Sequence, residues 1–303
     1  MTGRALRRVG RFALPAIAAL GVLAPHATAA TRHVWVAAVP VQWDVVPSGT
    51  DPMMGTTYPK SATRDWTVVY RLYDRNWRHL KAGASIPGPL IRARVGDRIL
   101  VHFKNLDFRF KHAHSMHFHG VQYPFSSDGS YIPGISGRGA DVRPGQTFTY
   151  SLRAGKDSAG AWPYHDHSTS MDESIAGGLY GMLSILGKKE KKPDREFTVA
   201  LASMRGFMVI NGRAFLGNTP VFRAKVGQRV RWNVMTLGDD FHTFHVHGHR
   251  WLRDGVPEDV RSLGPAESFA VSWTERSPGA WFYHCHVEGH MMSGMMGLYL
   301  VGR

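Results

Sequence analysis

The chain is poor in several things that would each have pointed elsewhere. It has one cysteine, Cys285, in 303 residues, so an intramolecular disulfide is excluded. The apolar run near the N-terminus, Phe12 to Ala24, is thirteen residues long. That is short of the ~20 needed to span a bilayer as a helix, and no stable membrane anchor is expected. Acidic residues number 23 against 37 Lys and Arg, for a formal charge of +14. No nucleic-acid motif accompanies that excess, so no nucleic-acid partner is expected. The basic balance is compatible with steering of anionic substrates or adhesion to acidic surfaces, but a plain solvated basic surface is the favoured reading.

The N-terminus reads as a targeting segment over residues 1–30. Arg4, Arg7, Arg8 and Arg11 form a basic head, Phe12 to Ala24 the apolar stretch, and Ala27-Thr28-Ala29 a cleavage site. The twin Arg7-Arg8 points to twin-arginine export of a folded protein, with the Sec route as the alternative. The mature chain is expected to be secreted or periplasmic. Removing four arginines and no acid leaves a formal charge of +10. In such a compartment, a single cysteine argues for a metal or redox role rather than a disulfide framework.

The histidines are concentrated around that cysteine. Ala280-Trp281-Phe282-Tyr283 reads as a buried strand that continues into His284-Cys285-His286. Side chains alternate faces along a strand, so His284 and His286 point one way and Cys285 the other. His290 and Met295 lie in the following loop, within reach of the Cys285 side. Cys285, His290, Met295 and one further histidine have the donor chemistry of a blue (type 1) copper site, trigonal His₂Cys with a weak axial Met. Three more clusters recur: His117-Phe118-His119, His165-Asp166-His167, and His242-Thr243-Phe244-His245-Val246-His247. An i, i+2 pair places both rings on one strand face, and neutral imidazole is a common copper ligand. A lone H-x-H would be an ordinary surface pair; four such clusters together are not. His33, His79, His102, His112, His114 and His249 fall outside the pattern and read as surface or supporting histidines.

The two halves repeat each other. Val95-Gly96-Asp97 followed by Arg98–Phe103 matches Val226-Gly227-Gln228 followed by Arg229–Val234. Each half continues with an H-x-H cluster, a turn, a short strand, and Trp162-Pro163-Tyr164-His165 or Trp281-Phe282-Tyr283-His284. Each closes on an apolar strand, Leu179–Leu186 or Met295–Val301. The predicted organisation is domain one over 31–187, a charged linker over 188–195, and domain two over 196–303. The class is all-β, and each unit fits a Greek-key β-sandwich.

The His284–Met295 stretch and the three other clusters resemble the copper motifs of the multicopper oxidases. With two domains and no middle one, the chain resembles the two-domain bacterial small laccases. The resemblance implies two cupredoxin-like domains and four coppers per chain equivalent, one type 1, one type 2 and two type 3. It assigns His242, Cys285 and His290, with axial Met295, to type 1 copper. It assigns His117 and His245 to type 2, and His119, His165, His167, His247, His284 and His286 to the type 3 pair. Tyr123 is implied as an auxiliary electron donor and Asp128 as a proton relay; otherwise they are a packed aromatic and a turn residue. Asp166 stands where Cys285 stands in domain two, so domain one is expected to lack a type 1 site.

The implied activity is a laccase-like oxidase. Reductant docks at the exposed edge of His242 or His290, and four one-electron oxidations of phenols or aromatic amines reduce dioxygen to two waters. The axial Met implies a potential suited to easily oxidised substrates. An alternative is a metallo-oxidase for cuprous or similar ions, with Met291, Met292 and Met296 as a soft thioether site, although gap-filling core is the favoured reading of these methionines. A non-enzymatic copper or electron-transfer protein would leave eight paired histidines without purpose. A copper nitrite reductase would carry its blue-copper cysteine in the first domain. The resemblance also implies a homotrimer, with domain one of each subunit facing domain two of the next.

Overall fold

The structure, a computed structural model, describes residues 29–253 and 255–303. The targeting segment expected over 1–30 therefore lies, up to residue 28, outside the described residues. No helix among the described residues is long and apolar enough to cross a membrane.

The first half contains β1 (Thr31–Asp44), β2 (Arg64–Tyr73), β3 (Ile91–Arg94), β4 (Arg98–Asn105), β5 (His117–Phe118), β6 (Thr147–Arg153), β7 (Gly160–His165) and β8 (Tyr180–Leu186). These form two sheets, ordered β2-β1-β4-β6 and β3-β8-β7-β5. Strand β4 shows why the sheets close on each other. Ile99, Val101 and Phe103 are fully buried, while the alternate Arg98, His102 and Lys104 point outward.

The second half repeats the arrangement with β9 (Arg195–Met204), β10 (Phe207–Ile210), β11 (Val221–Lys225), β12 (Arg229–Thr236) and β13 (His242–Val246). A short insertion follows, β14 (Trp251–Arg253), β15 (Val256–Glu258) and β16 (Val260–Leu263), then β17 (Ser268–Thr274), β18 (Gly279–Cys285) and β19 (Met296–Gly302). Its sheets run β10-β9-β12-β17 and β11-β19-β18-β13-β16. The parallel contacts repeat as well: β1 with β4 and β3 with β8 in the first half, β9 with β12 and β11 with β19 in the second.

Each sandwich has its own core, around Phe103, Phe118 and Tyr150 in one and Trp232, Phe244 and Tyr299 in the other. A third core joins the halves, with Trp43, Val69 and Met182 against Ala200, Met204 and Met235. Trp43 Nε1 donates to Gly212 O at 2.6 Å, and the Arg213 guanidinium lies 3.7 Å from the centre of the Trp43 ring.

Among the described residues three short α-helices interrupt the strands: α1 (Lys60–Thr63), α2 (Met171–Ala176) and α3 (Glu288–Met292). The last two occupy the segments that follow His167 and His286, and α3 forms where the spacing predicts a loop.

Candidate metal centres

The histidine clusters are placed by core residues between them. In His117-Phe118-His119, Phe118 is 1% exposed in the first core, and in the second half Phe244 and Val246 are fully buried on either side of His245. Burying these side chains forces the alternate imidazoles onto the opposite face. A glycine then turns the chain. Gly120 and Gly248 have φ of +69° and +68°. A Cβ on Gly120 would lie 2.1 Å from Trp162 Cδ2, and one on Gly248 would lie 2.6 Å from Trp281 Cζ3. Both tryptophans are fixed in turn: Trp162 Nε1 donates to Ser158 O at 2.9 Å and Trp281 Nε1 to Ser277 O at 3.0 Å.

Two equivalent histidine groups result. In the first half His117 pairs with His165 across β5 and β7, and His119 Nε2 lies 3.1 Å from His165 Nε2. The His167 ring centre is 5.3 Å from that of His117. In the second half His245 pairs with His284 across β13 and β18, and His247 Nε2 lies 3.0 Å from His284 Nε2. The His286 ring centre is 5.5 Å from that of His245.

Four of these histidines are anchored through Nδ1 by backbone carbonyls. His117 Nδ1 meets Asp128 O at 2.8 Å and His245 Nδ1 meets Asp259 O at 2.6 Å. His165 Nδ1 meets Asp166 O, and His284 Nδ1 meets Cys285 O, both at 2.9 Å. An imidazole anchored through one nitrogen by a carbonyl presents the other, unprotonated, to a metal. Burial, reinforced by neighbouring histidines, holds His119, His165 and His284 down at about 4. They are neutral at pH 7, the form that ligates.

The third group lies on the other face of β18. Cys285 Sγ, fully buried, is 3.8 Å from both His242 Nδ1 and His290 Nδ1, and the two nitrogens are 3.2 Å apart. A metal roughly 2.3 Å from sulfur and 2.0 Å from each nitrogen would place donors in a trigonal plane at about these separations. The soft thiolate with two imidazoles fits copper. Met295 is fully buried beside them; its N–H donates to His290 O at 3.1 Å and its carbonyl accepts Cys285 N–H at 3.2 Å. Burial holds His242 down at about 4. One expectation changes: His242 is only 1% exposed, so of the two proposed docking edges only the half-buried His290 ring is reachable from solvent.

Tyr123 and Asp128 lie against the first histidine group. The Tyr123 ring centre is 6.1 Å from that of His117. Asp128 Oδ1 lies 3.5 Å from His117 Nδ1, and Oδ2 accepts Ser130 N–H at 3.3 Å. Burial, with the charge and hydrogen bond of Asp128, raises Tyr123 to about 12, while Ser130, His117 and Tyr123 outweigh burial and lower Asp128.

Two histidines outside the clusters, read from the sequence as surface or supporting residues, are supporting ones. His114 is 1% exposed, with Nδ1 3.2 Å from Asp166 Oδ2 and Nε2 3.2 Å from Asp107 Oδ2. His249 is buried against Glu275, with Nε2 3.1 Å from Oε1. Neither is a surface residue. The spacing of His114 from His117 equals that of His242 from His245, the one signal that could have exposed it.

Models of multicopper oxidase domains match residues 68–190 and 188–303. The chain belongs to the multicopper oxidase family. Ferroxidase HEPHL1 of Mus musculus is 28% identical over 346 residues, covering 90% of this chain and 29% of that protein. Ceruloplasmin of Homo sapiens is 27% identical over 347 residues, covering 89% and 30%. A probable nitrite reductase-hydroxylamine oxidoreductase fusion protein of Kuenenia stuttgartiensis is 29% identical over 242 residues, covering 72% and 28%. The chain thus spans under a third of each of these relatives. A solved multicopper oxidase superposes with a TM-score of 0.68 at 25% identity, over 90% of this chain and 89% of that one. A copper nitrite reductase from Nitrosomonas europaea superposes with a TM-score of 0.67 at 22% identity, over 90% and 94%, a likeness of fold. The fold of this multicopper oxidase chain is the all-β, two-domain cupredoxin-like one.

Proposed function

We propose that this multicopper oxidase is laccase-like, oxidising phenols or aromatic amines one electron at a time and reducing dioxygen to water. The observation that carries the reading is the single strand β18, whose adjacent residues serve two donor groups: Cys285 with His242 and His290, and His284 with His245 and His247. Copper, when bound, supplies the one-electron oxidations and the four-electron reduction of dioxygen. The chain's residues do the rest. Cys285, His242, His290 and Met295 hold the type 1 ion, and the half-buried His290 ring meets the reductant. His284 and Cys285 join the two groups through one peptide unit.

His117 and His245 hold type 2 copper; His119, His165, His167, His247, His284 and His286 hold the type 3 pair. Asp128 delivers protons beside His117, and Tyr123 supplies an auxiliary electron. The protein works outside the cytoplasm, exported by its N-terminal segment. His117, His119 and His165 of domain one form one group, and His245, His247 and His284 of domain two form another. A complete type 2/type 3 site then forms where domain one of one subunit faces domain two of the next. A head-to-tail contact of this kind closes as a ring, here a homotrimer.

One observation favours metal ions as a second substrate class. A narrow seam beside α3 is lined by Asp51 and Met53 from domain one and by Met291, Met292 and Met296 from domain two. Met53 and Met292 are 57% and 42% exposed, and thioethers suit cuprous ion. Oxygen uptake by copper-loaded protein, with a phenol and cuprous ion compared side by side, tests the reading. Four electrons from phenol per dioxygen are expected. Failure of both reductants to drive uptake overturns it.

A further inference from the structure

Asp166 and Cys285 occupy the same place in two copies of one local pattern. His165 faces Tyr180 across β7 and β8 as His284 faces Met296 across β18 and β19. Thr243 N–H reaches Cys285 Sγ at 3.3 Å, and Ser115 N–H reaches Asp166 Oδ1 at 2.7 Å. His286 N–H donates to Thr243 Oγ1 at 2.8 Å, and His167 N–H donates to Ser115 Oγ at 3.0 Å. The neighbouring ligand positions also correspond. His114 precedes His117 as His242 precedes His245. Leu179 N–H donates to Ser174 O at 2.8 Å as Met295 N–H donates to His290 O at 3.1 Å.

Domain one therefore carries a carboxylate where domain two carries Cys285, paired with His114, the counterpart of His242. His114, Asp166 and Asp107 are 1%, 0% and 0% exposed, and His114 bridges the two carboxylates. A buried charge cluster of this kind rarely gains net stability over apolar packing. Its use lies in geometry. The Asp166 carboxylate ties the segment leading to His117 to the one carrying His167, through Ser115 N–H and the Ser115 hydroxyl.

We propose that Asp166, held by His114, is a positioning residue for domain one's half of the dioxygen site. It does with a metal-free ion pair what the Cys285 thiolate does in domain two. The four histidines of domain one are then set with no metal at the position that corresponds to Cys285. The proposal rests on the assignment of the two four-histidine groups to one oxygen-reducing site.

The test uses the full chain carrying Asp166→Asn, which keeps the shape and removes the charge, and Ser115→Ala, which removes both the acceptor of His167 N–H and the hydroxyl that donates to Asp166 Oδ1. Copper per chain, the type 2 EPR signal, the type 3 absorption and the blue band are measured together with thermal melting. Loss of a partner that orients metal ligands weakens metal binding about 10–100-fold. That loss is expected in the type 2 and type 3 signals of both variants, with the blue band per chain unchanged, because Cys285 is in the other domain. Retention of every copper signal overturns the proposal. So does a parallel loss of all of them with the melting temperature, the result of a merely structural role. If Asp166→Asn does not fold, Ser115→Ala decides between these outcomes. Wild-type protein lacking type 2 and type 3 signals would instead refute the site assignment.

Discussion

Cys285 Sγ and His284 Nε2 leave β18 from adjacent residues and end in different clusters. The sulfur lies 3.8 Å from His242 Nδ1, and the nitrogen lies 3.0 Å from His247 Nε2. A strand's alternation is enough to hold two donor groups apart while one peptide unit joins them.

Replacing Cys285 by Ser separates the two faces of that strand. The blue absorption, near ~600 nm for a cysteine-ligated copper, should vanish, while most of the copper held by the histidine groups remains. Metal analysis and an absorption spectrum check this. Wild-type protein holding one copper, or zinc, would contradict the oxidase reading.

The second variant addresses proton delivery. Asp128→Asn keeps the loop contact to Ser130 and removes the carboxylate beside His117. Reoxidation of the reduced enzyme by dioxygen should slow by about 10²-fold, with reduction of the blue copper by phenol unaffected. Stopped-flow traces separate the two steps. Unchanged reoxidation would make Asp128 a turn residue only.

Much of this site was legible before any fold was known. The i, i+2 histidine spacing, the lone cysteine and the repeat of Trp162–His165 in Trp281–His284 point to side chains that the fold gathers into groups, and to their faces. The sequence did not disclose which rings reach solvent. That depends on packing between strands distant in sequence, which buries His242 and leaves His290 half-exposed. Nor did it disclose the burial of His114, whose partners lie 7 and 52 residues away. The α2 and α3 turns escaped notice because five- and six-residue helices leave too short a pattern for a 3.6-residue period to register.

His114 also gives the protein a pH dependence. Burial opposes its charge, but hydrogen bonds and charges from Asp107 and Asp166 raise it to about 9 from an ordinary 6.5. A raised folded value stabilises fully below pH 6.5, and that contribution is lost as pH rises through 9. The loss is on the order of 3 kcal/mol. Denaturant titrations at pH 6.5 and 9.5 should show a falling midpoint in the wild type and a smaller fall in His114→Gln. Equal falls would contradict the ion pair.

The tryptophan-backed turns set a steric requirement. Gly120→Ala places a Cβ against Trp162 at a positive φ, so strain of about 1–3 kcal/mol is expected together with displacement of His119. Gly248→Ala should do the same to His247 through Trp281. Melting temperatures and type 3 copper absorption read both effects. Wild-type values in both variants would show that the indoles move aside.

The central claim is that one chain carries two halves of the dioxygen site and that neighbouring subunits complete it. A subunit with His165→Ala and His167→Ala and one with His284→Ala and His286→Ala should each be inactive alone. They are unfolded, mixed and refolded with copper, and phenol-driven oxygen uptake is measured. Shared sites predict that activity returns, because some mixed interfaces pair an intact domain one with an intact domain two. No activity in any mixture, from subunits that refold and assemble, would contradict the claim.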